Sequence, residues 1–130
     1  MDVSLQDSIS NGLSEALKLT EGKIDILFNN GAYGQAGALE DLPTEALREQ
    51  FETNVFGWHE LVKQVLPIMR KQRAGRIIQN SSVLGFAAMK YRGAYNASKF
   101  ALEGWTDTLR LELKGSGFHN TLIEPGPNEA

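Results

Sequence analysis

Residues 44–82 read TEALREQFETNVFGWHELVKQVLPIMRKQRAGRIIQNSS, and this stretch decides the fold. Its first half carries large apolar residues at alternating steps of four and three, namely Leu47, Phe51, Val55, Trp58, Val62, Val65 and Met69. Such steps place the side chains on one face of a helix. We expect Thr44 to cap this helix, Pro67 to kink or loosen its last turns, and Gly75 to end it.

The second half of the stretch has a different character. Residues 76–79 place two adjacent isoleucines between polar residues, and Asn80-Ser81-Ser82 follows. This short run, with its β-branched pair, predicts a strand that ends in polar side chains. The stretch therefore predicts a long helix followed by a strand, and alternation of these two elements is typical of α/β proteins.

The segment before this stretch predicts another helix and strand. Apolar residues recur at helical spacing over residues 5–20, Ser4 or Asp2 can cap the start, and Gly22 breaks the pattern. Residues 24–28 indicate a buried strand that runs into Asn29-Asn30-Gly31. The following residues, 31–43, contain three glycines and a proline, so we expect a loop there.

The segment after the stretch repeats the pattern. We expect a loop over 83–92 and a helix over about 93–114 that stops at Gly115, with its inward face formed by Leu102, Trp105, Leu109 and Leu113. Residues 121–123 predict a third strand, ended by Pro125-Gly126-Pro127. The order αβαβαβ requires parallel strands joined by right-handed crossovers. We therefore predict one α/β domain over residues 1–130, a piece of a doubly wound parallel sheet.

Composition narrows the classes of function. The chain has no cysteine, and its two histidines, His59 and His119, are far apart in sequence, so we predict no metal site. The net charge is −3 without a basic stripe, which disfavours a nucleic-acid surface. No apolar run is long enough to span a bilayer, and the acidic, polar N-terminus does not resemble a signal peptide. The expected compartment is the cytoplasm.

Polar or glycine-containing residues follow all three predicted strands: Asn29-Asn30-Gly31, Asn80-Ser81-Ser82 and Glu124-Pro125-Gly126. Ligands of open α/β sheets bind outside the carboxyl ends of the strands. A generic loop explains any one of these segments, but three at the same edge of a sheet predict a binding site.

Tyr95 and Lys99 lie one helical turn apart at the start of the third predicted helix. A free tyrosine has a pKa of about 10, and a nearby ammonium favours the phenolate. Such a tyrosine can exchange a proton with an alcohol or carbonyl oxygen, and the hydroxyl of Ser82 could hold the same oxygen. Taken alone, the pair equally fits a solvated helix face, because Tyr-x-x-x-Lys occurs often by chance.

The whole pattern resembles the short-chain dehydrogenase/reductase family over nearly the full chain, and it is most similar to the members that act as steroid or retinol dehydrogenases. Tyr95 follows Ser82 by 13 positions, a spacing common in that family. The matching motifs are Asp2-Val3 at the end of the third family strand, Asn29-Asn30-Gly31-Ala32 after the fourth, Asn54-Val55-Phe56-Gly57 in the long helix, residues 75–82 in the strand that delivers a catalytic serine, and Glu124-Pro125-Gly126-Pro127 beside the nicotinamide.

The resemblance implies a Rossmann-type fold and a role for each matching residue. Tyr95 would be the general acid/base, and Lys99 would favour its phenolate and bind the nicotinamide ribose. Ser82 would bind the substrate oxygen, and the backbone of Asn54 would hold a water that links Lys99 to solvent. The cofactor would also contact a set of residues outside this group: Asp2, Val3, Asn29, Asn30, Gly31, Pro125 and Gly126.

The implied reaction is hydride transfer between NAD or NADP, with NADP preferred, and an alcohol/carbonyl pair. The run from Phe28 to Gly34 most resembles members that act on steroids, retinoids or other lipophilic substrates. In the family, the helices that begin near Thr44 and Gly93 pair across a dimer axis, so a homo-oligomer, either a dimer or a tetramer, is expected for the full-length form. The apolar face from Leu47 to Met69 fits this pairing and equally fits packing on its own sheet.

The chain also departs from the family. Gly31-Ala32 reverses the usual Ala-Gly order, so we expect a slightly different turn. The Gly-rich turn that holds the pyrophosphate is absent from residues 1–130, as is the family's C-terminal substrate region, so the sequence corresponds to about the middle half of a member. We expect the chain alone to be inactive and marginally stable or self-associating. The alternative function is a truncated, non-catalytic α/β module or an interaction fragment that does not bind a cofactor.

Overall fold

The structure, a computed structural model, describes residues 1–126. Pro127, the last residue of the predicted Pro-Gly turn, lies outside this range. The elements in chain order are α1 (Gln6–Leu19), β1 (Ile26–Asn29), α2 (Thr44–Phe51), a π-helical turn (Glu52–Phe56), α3 (Gly57–Gln72), β2 (Gly75–Asn80), a 3₁₀ turn (Val83–Gly85), α4 (Gly93–Glu112) and β3 (Phe118–Ile123).

The three strands form one parallel sheet in the order β1-β2-β3. Leu27 lies opposite Ile77, and Ile77 lies opposite Asn120, so these side chains share a face. The α/β class and the three parallel strands are thereby confirmed. Since helical crossovers join β1 to β2 and β2 to β3 and the strands are parallel, the carboxyl ends of all three strands meet at one edge.

The core lies between one face of the sheet and the helices α1, α3 and α4. Its fully buried side chains include Ile9 of α1, Val65 and Met69 of α3, and Ile77 of β2. On the opposite face, Ile26 is 62% exposed and Phe28 is 51% exposed. The sheet is therefore covered on one side within the part of the chain that the structure describes.

Helix ends differ from the sequence-based predictions. Neither Ser4 nor Asp2 caps α1, because Oδ1 of Asp2 instead accepts hydrogen bonds from N and Oγ of Ser4 at 2.9 and 2.7 Å. Thr44 is the first residue of α2 and not its cap. Helix α3 ends before Arg73, whose φ of 56° is left-handed, so Gly75 opens β2 and does not end the helix.

The long predicted helix is one continuous rod with a π-helical turn in its middle. The sequence pattern did not predict this turn. Helix α3 continues past Pro67 to Gln72. Trp58, Val62, Val65 and Met69 are buried, whereas Leu47 is 37% exposed, so only the second half of the apolar face reaches the core.

Strand boundaries also move. β1 starts at Ile26, two residues later than predicted, and β3 starts at Phe118, three residues earlier. The buried Phe118 and Asn120 alternate with the exposed His119, a period that belongs to a strand. Trp105 is only half-buried, unlike Leu102 and Leu109 of the same helix. No helix within residues 1–126 has the length and apolar character needed to cross a membrane.

Candidate active site

The polar segments that follow the three strands are joined to one another by hydrogen bonds. Nδ2 of Asn80 donates to Oδ1 of Asn30 at 2.5 Å, linking the ends of β1 and β2. On the other side, the amide of Ser81 donates to the carbonyl of Ile123 at 2.8 Å, and Val83 N donates to Pro125 O at 2.9 Å. The structure thus brings all three predicted segments to one connected edge.

Lys99 projects from α4 into this edge and is 1% exposed. Its Nζ donates to the carbonyl of Asn80 at 2.7 Å and lies 4.8 Å from the ring centroid of Trp58 and 5.5 Å from that of Tyr95. Burial lowers the pKa of Lys99 to about 8, and the charge of Glu103 acts in the opposite direction. The ammonium therefore lies buried beside the phenol ring that the sequence pairs with it.

Tyr95 is half-buried in the first turn of α4, where it lines a cleft of about 320 Å³. The other lining residues come from the loops after β1 and β2 and from the residue before α4: Ala32, Tyr33, Gly34, Leu84, Met89 and Arg92. A Cβ at Gly34 would lie 3.4 Å from Cδ2 of Tyr95, in contact with the ring. Burial raises the pKa of Tyr33, the second phenol of the cleft, and the nearby charge of Glu49 adds to this effect.

Ser82 is half-buried immediately after β2, two residues beyond the Asn80 carbonyl that binds Lys99. Its Oγ accepts a hydrogen bond from the amide of Leu84 at 3.1 Å and so caps the 3₁₀ turn Val83–Gly85. A hydroxyl that accepts one such bond retains its own proton for donation to another oxygen.

Asn54 is fully buried in the π-helical turn, and its side chain is occupied by structural hydrogen bonds. Its Oδ1 accepts from Tyr33 N at 3.2 Å, and its Nδ2 donates to Tyr33 O at 2.9 Å and to Ser98 Oγ at 3.2 Å. The side chain therefore fixes the loop after β1. The backbone of Asn54, which the resemblance assigns to a water, lies where a π turn widens the helix.

The residues predicted to border the cofactor have different degrees of access. Asn29 is 3% exposed and donates to Oε1 of Gln79 at 2.8 Å, so its side chain faces the sheet interior. Asn30 and Gly31 are exposed at the edge, and neither Gly31 nor Ala32 has a left-handed φ. A Cβ at Gly31 would lie 3.9 Å from Cγ2 of Val3, which places the predicted N-terminal motif close to this turn.

Asp2, Pro125 and Gly126 complete the predicted set. Asp2 is exposed, and the hydrogen bonds from Ser4 to its carboxylate are the main reason why its pKa is lowered. Pro125 and Gly126 are also exposed, and the carbonyl of Pro125 accepts the bond from Val83. Within residues 1–126, no group of three or more His, Asp or Glu side chains is arranged to hold a metal ion.

Sequence reasoning missed three residues that build the site. Trp58 donates from Nε1 to the carbonyl of Gly31 at 2.9 Å while its ring faces the ammonium of Lys99. Gln50, fully buried, accepts from Gln35 N and donates to Tyr33 O, both at 2.7 Å. Asn96 donates to the carbonyls of Leu84 and Ala87. A polar residue on the apolar face of a helix was the available signal for Gln50.

Comparison with known proteins gives matches over essentially the whole chain. A family model described as short chain dehydrogenase matches residues 1–130. The uncharacterized oxidoreductase YbbO of Escherichia coli (strain K12) is 41% identical over 127 residues, which are 98% of this chain and 47% of YbbO. Human retinol dehydrogenase 8 is 39% identical over 127 residues, 98% of this chain and 40% of that enzyme. The chain therefore spans about half the length, or less, of these curated relatives.

Solved structures agree. A short-chain dehydrogenase from Streptomyces avermitilis has a TM-score of 0.93 at 32% identity, and the match covers 100% of this chain and 48% of the Streptomyces chain. ElxO with NADP bound has a TM-score of 0.90 at 25% identity, and the match covers 97% of this chain and 51% of the ElxO chain. NAD⁺-bound xylitol dehydrogenase has a TM-score of 0.89 at 30% identity, and the match covers 98% of this chain and 50% of the xylitol dehydrogenase chain. With the full-length family match and this fold, the chain belongs to the short-chain dehydrogenase family.

Proposed function

We propose that the protein carrying this chain is an NAD(P)-dependent oxidoreductase that interconverts an alcohol and a carbonyl, with Tyr95 as general acid/base. The observation that carries the proposal is the placement of Lys99. Its ammonium is buried 5.5 Å from the Tyr95 ring centroid and is fixed on the carbonyl of Asn80. A cation held beside a phenol at the mouth of a cleft favours the phenolate, the form needed to accept a proton.

In this proposal, Ser82 donates its hydroxyl proton in a hydrogen bond to the substrate oxygen and holds that oxygen near Tyr95. During alcohol oxidation, the Tyr95 oxygen removes the hydroxyl proton, and during reduction it returns one to the carbonyl oxygen. Lys99 stabilises the negative charge on Tyr95 between these steps. Asn54 contributes through its backbone, where a water linking Lys99 to solvent would be held, and its side chain keeps the loop at Tyr33 in place.

The residues present fit the nicotinamide half of a cofactor. The hydrogen bonds described for Lys99 use one of its three N–H donors, on the carbonyl of Asn80, and the other two have no acceptor among the described residues. Gly31 has open space where a side chain would be, with Val3 as its sole neighbour within 4 Å among the described residues. The cofactor would be bordered by Asn29, Asn30, Pro125 and Gly126. Its adenine end would lie near Asp2 and Val3. When bound, the nicotinamide accepts or donates the hydride.

Similar structures contain NADP or NAD⁺ by their own descriptions, so both cofactors are compatible with this fold. Our preference for NADP rests on the family resemblance alone. We infer a lipophilic substrate because the cleft beside Tyr95 is lined by Ala32, Leu84 and Met89. The similarity to human retinol dehydrogenase 8 supports this substrate class.

A non-catalytic α/β module is the second candidate function, and the comparisons favour it less, since the relatives include oxidoreductases. The observation behind it is that the sequence of residues 1–130 contains no Gly-rich turn of the kind that holds a pyrophosphate. Titration of the 130-residue chain with NADH and NADPH separates the two candidates. Tight binding by the chain alone would count against a non-catalytic module.

We further propose a homo-oligomer and a cytoplasmic location for the full-length protein. An open groove runs between α3 and α4 and is lined by apolar residues that include Val62, Leu66 and Trp105. In the family, the corresponding helices pair across a dimer axis. Leu66→Arg should therefore reduce the sedimentation coefficient of the full-length protein to that of a smaller species, and an unchanged value would contradict pairing through this groove.

The test of the catalytic proposal is Tyr95→Phe in a full-length protein that joins this chain to the flanking segments of the family's length. We expect turnover of alcohol/ketone pairs to fall by at least about a thousandfold, while the dissociation constant for NADPH changes little. Tyr91→Phe is the matched control, because this phenol is 55% exposed and lies outside the cleft. Full activity in Tyr95→Phe would overturn the assignment.

A further inference from the structure

Glu103 lies one helical turn after Lys99 on α4 and contacts the segment that carries Ser82. Its carboxylate oxygen Oε1 accepts a short hydrogen bond from Oγ of Ser81. Ser81 is 4% exposed and Glu103 is half-buried, so the bond is largely shielded from water. A charge-assisted bond of this kind is stronger than one between neutral groups.

The other side of the same carboxylate is closed by Gly85. A Cβ at this position would lie 2.6 Å from Oε1 of Glu103 and 2.9 Å from Oγ of Ser81, closer than real Cβ contacts. Gly85 ends the 3₁₀ turn that Ser82 caps. The absence of a side chain at Gly85 is therefore what lets the carboxylate, the Ser81 hydroxyl and the turn pack together.

These contacts lie on both sides of Ser82. Ser81 precedes it, and Gly85 ends the turn that follows it. One residue further back, the carbonyl of Asn80 binds Lys99. Two residues on one face of α4, Lys99 and Glu103, thus hold residues 80–85 at adjacent points, and Ser82 lies within the held segment.

Glu103 also acts on Lys99 through its charge. Burial raises the pKa of Glu103, and the neighbouring carboxylates of Glu124 and Asp107 add to this effect, whereas the bond from Ser81 opposes it. Burial lowers the pKa of Lys99 to about 8, and the charge of Glu103 opposes that change. The remaining groups around Lys99 are Tyr95, Trp58 and the Asn80 carbonyl. Glu103 is the sole carboxylate that affects Lys99 among the described residues.

We propose that Glu103 is a positioning residue: through Ser81 it holds the Ser82 segment against α4, and from one helical turn away its charge favours the ammonium form of Lys99. The inference rests on the proposed function, because it assigns importance to Ser82 and Lys99. It adds a residue that neither approaches the cleft nor touches the proposed reacting atoms.

The experiment compares three variants of the full-length protein. Glu103→Gln retains an oxygen that can accept from Ser81 but removes the charge, and Ser81→Ala removes the bond but retains the charge. Asp107→Asn is the matched control, since this carboxylate lies one turn further along α4, is paired with Arg110 and has a side chain that is 63% exposed. The readouts are the pKa of Lys99, measured by ¹³C NMR with lysine labelled at Cε, and kcat and KM.

We expect Glu103→Gln to lower the pKa of Lys99 by about half a unit, because a nearby opposite charge is lost. We expect Ser81→Ala to lower kcat about fivefold with KM within about twofold, and to leave the pKa of Lys99 within about 0.2 unit. The inference is wrong if the pKa of Lys99 is the same in Glu103→Gln as in the control Asp107→Asn. It is also wrong if kcat is the same in Ser81→Ala as in Asp107→Asn. Should the parent protein show no turnover, the proposed function fails, while the NMR shift still decides whether Glu103 supports the Lys99 charge.

Discussion

The ammonium of Lys99 lies 4.8 Å from the ring centroid of Trp58, and each of the two residues is 1% exposed. A buried ammonium is costly unless it is bound, and here it has one carbonyl partner and the faces of two aromatic rings. These contacts compensate only part of the lost hydration, since the pKa of Lys99 stays near 8. The charge that the proposed chemistry needs therefore lowers the stability of the fold.

Removing the charge of Lys99 should have an effect that depends on pH. Burial lowers the pKa of Lys99 from 10.5 to about 8, so between these values the unfolded chain binds more protons than the folded one. Stability from this group is lowest below pH 8, rises with pH and levels off above 10.5. In Lys99→Met that rise is absent. We expect the stability of Lys99→Met relative to the parent to fall by about 3 kcal/mol between pH 7 and 10.5, as measured by urea denaturation.

Lys114→Met is the control for that experiment, because Lys114 is exposed at the end of α4. Its stability relative to the parent should stay constant over the same pH range. A constant difference for Lys99→Met would mean that the ammonium is as well solvated in the folded protein as in the unfolded chain.

Trp58→Phe should separate the two roles of that side chain. Phenylalanine keeps an aromatic face toward Lys99 but loses the hydrogen bond from Nε1 to the carbonyl of Gly31 and leaves a small cavity. We expect a loss of about 2–3 kcal/mol in the free energy of unfolding. Because Gly31 lies in the turn after β1, the backbone amide signals of residues 30–33 should also shift in NMR spectra. Unchanged signals there would show that the bond does not fix this turn.

The class of fold was predictable because periodicity depends on which residues face the core. Val62, Val65 and Met69 recur at helical spacing and are buried, and the isoleucine pair of β2 includes the fully buried Ile77. Cap positions were less predictable. The side-chain oxygens of Asp2 and Ser4 can either cap the helix or bond to each other's residue. Here Oδ1 of Asp2 accepts from N and Oγ of Ser4, and neither side chain caps α1.

The candidate site was predictable at residues whose chemistry is distinctive, such as Tyr95 and Lys99. It was not predictable at Gln50, Asn96 and Trp58, whose hydrogen bonds reach loops outside their own helices. An amide on a helix carries no local sign of the backbone group it will bind. The π-helical turn at Asn54 was missed for a related reason, since it depends on packing and leaves no pattern in sequence.

Gln50→Leu should destabilise the loop after β1. Leucine has a similar volume, but the substitution leaves the amide of Gln35 and the carbonyl of Tyr33 without this partner in a fully buried position. We expect a loss of about 2–4 kcal/mol in the free energy of unfolding, measured by chemical denaturation. Gln6→Leu is the control, because this exposed side chain makes a single weak bond at 3.5 Å, and it should change stability by less than about 0.5 kcal/mol. Equal losses in the two variants would contradict a clamp at Gln50.

Phe28→Lys should reduce self-association of the 130-residue chain. Within residues 1–126, β1 pairs with β2 alone, which leaves one edge of the strand with free backbone groups. The adjoining outer face exposes Ile26 and Phe28, so edge pairing would be reinforced by apolar contact. A lysine at position 28 places a charge on each copy and opposes that contact.

Sedimentation velocity at micromolar concentration should show a smaller species for Phe28→Lys than for the parent. The control is Leu19→Lys, a change at an 86% exposed residue of α1, which should behave like the parent. A parent chain that is monomeric and unfolds in one sharp, reversible transition would show that the exposed edge of β1 does not drive association.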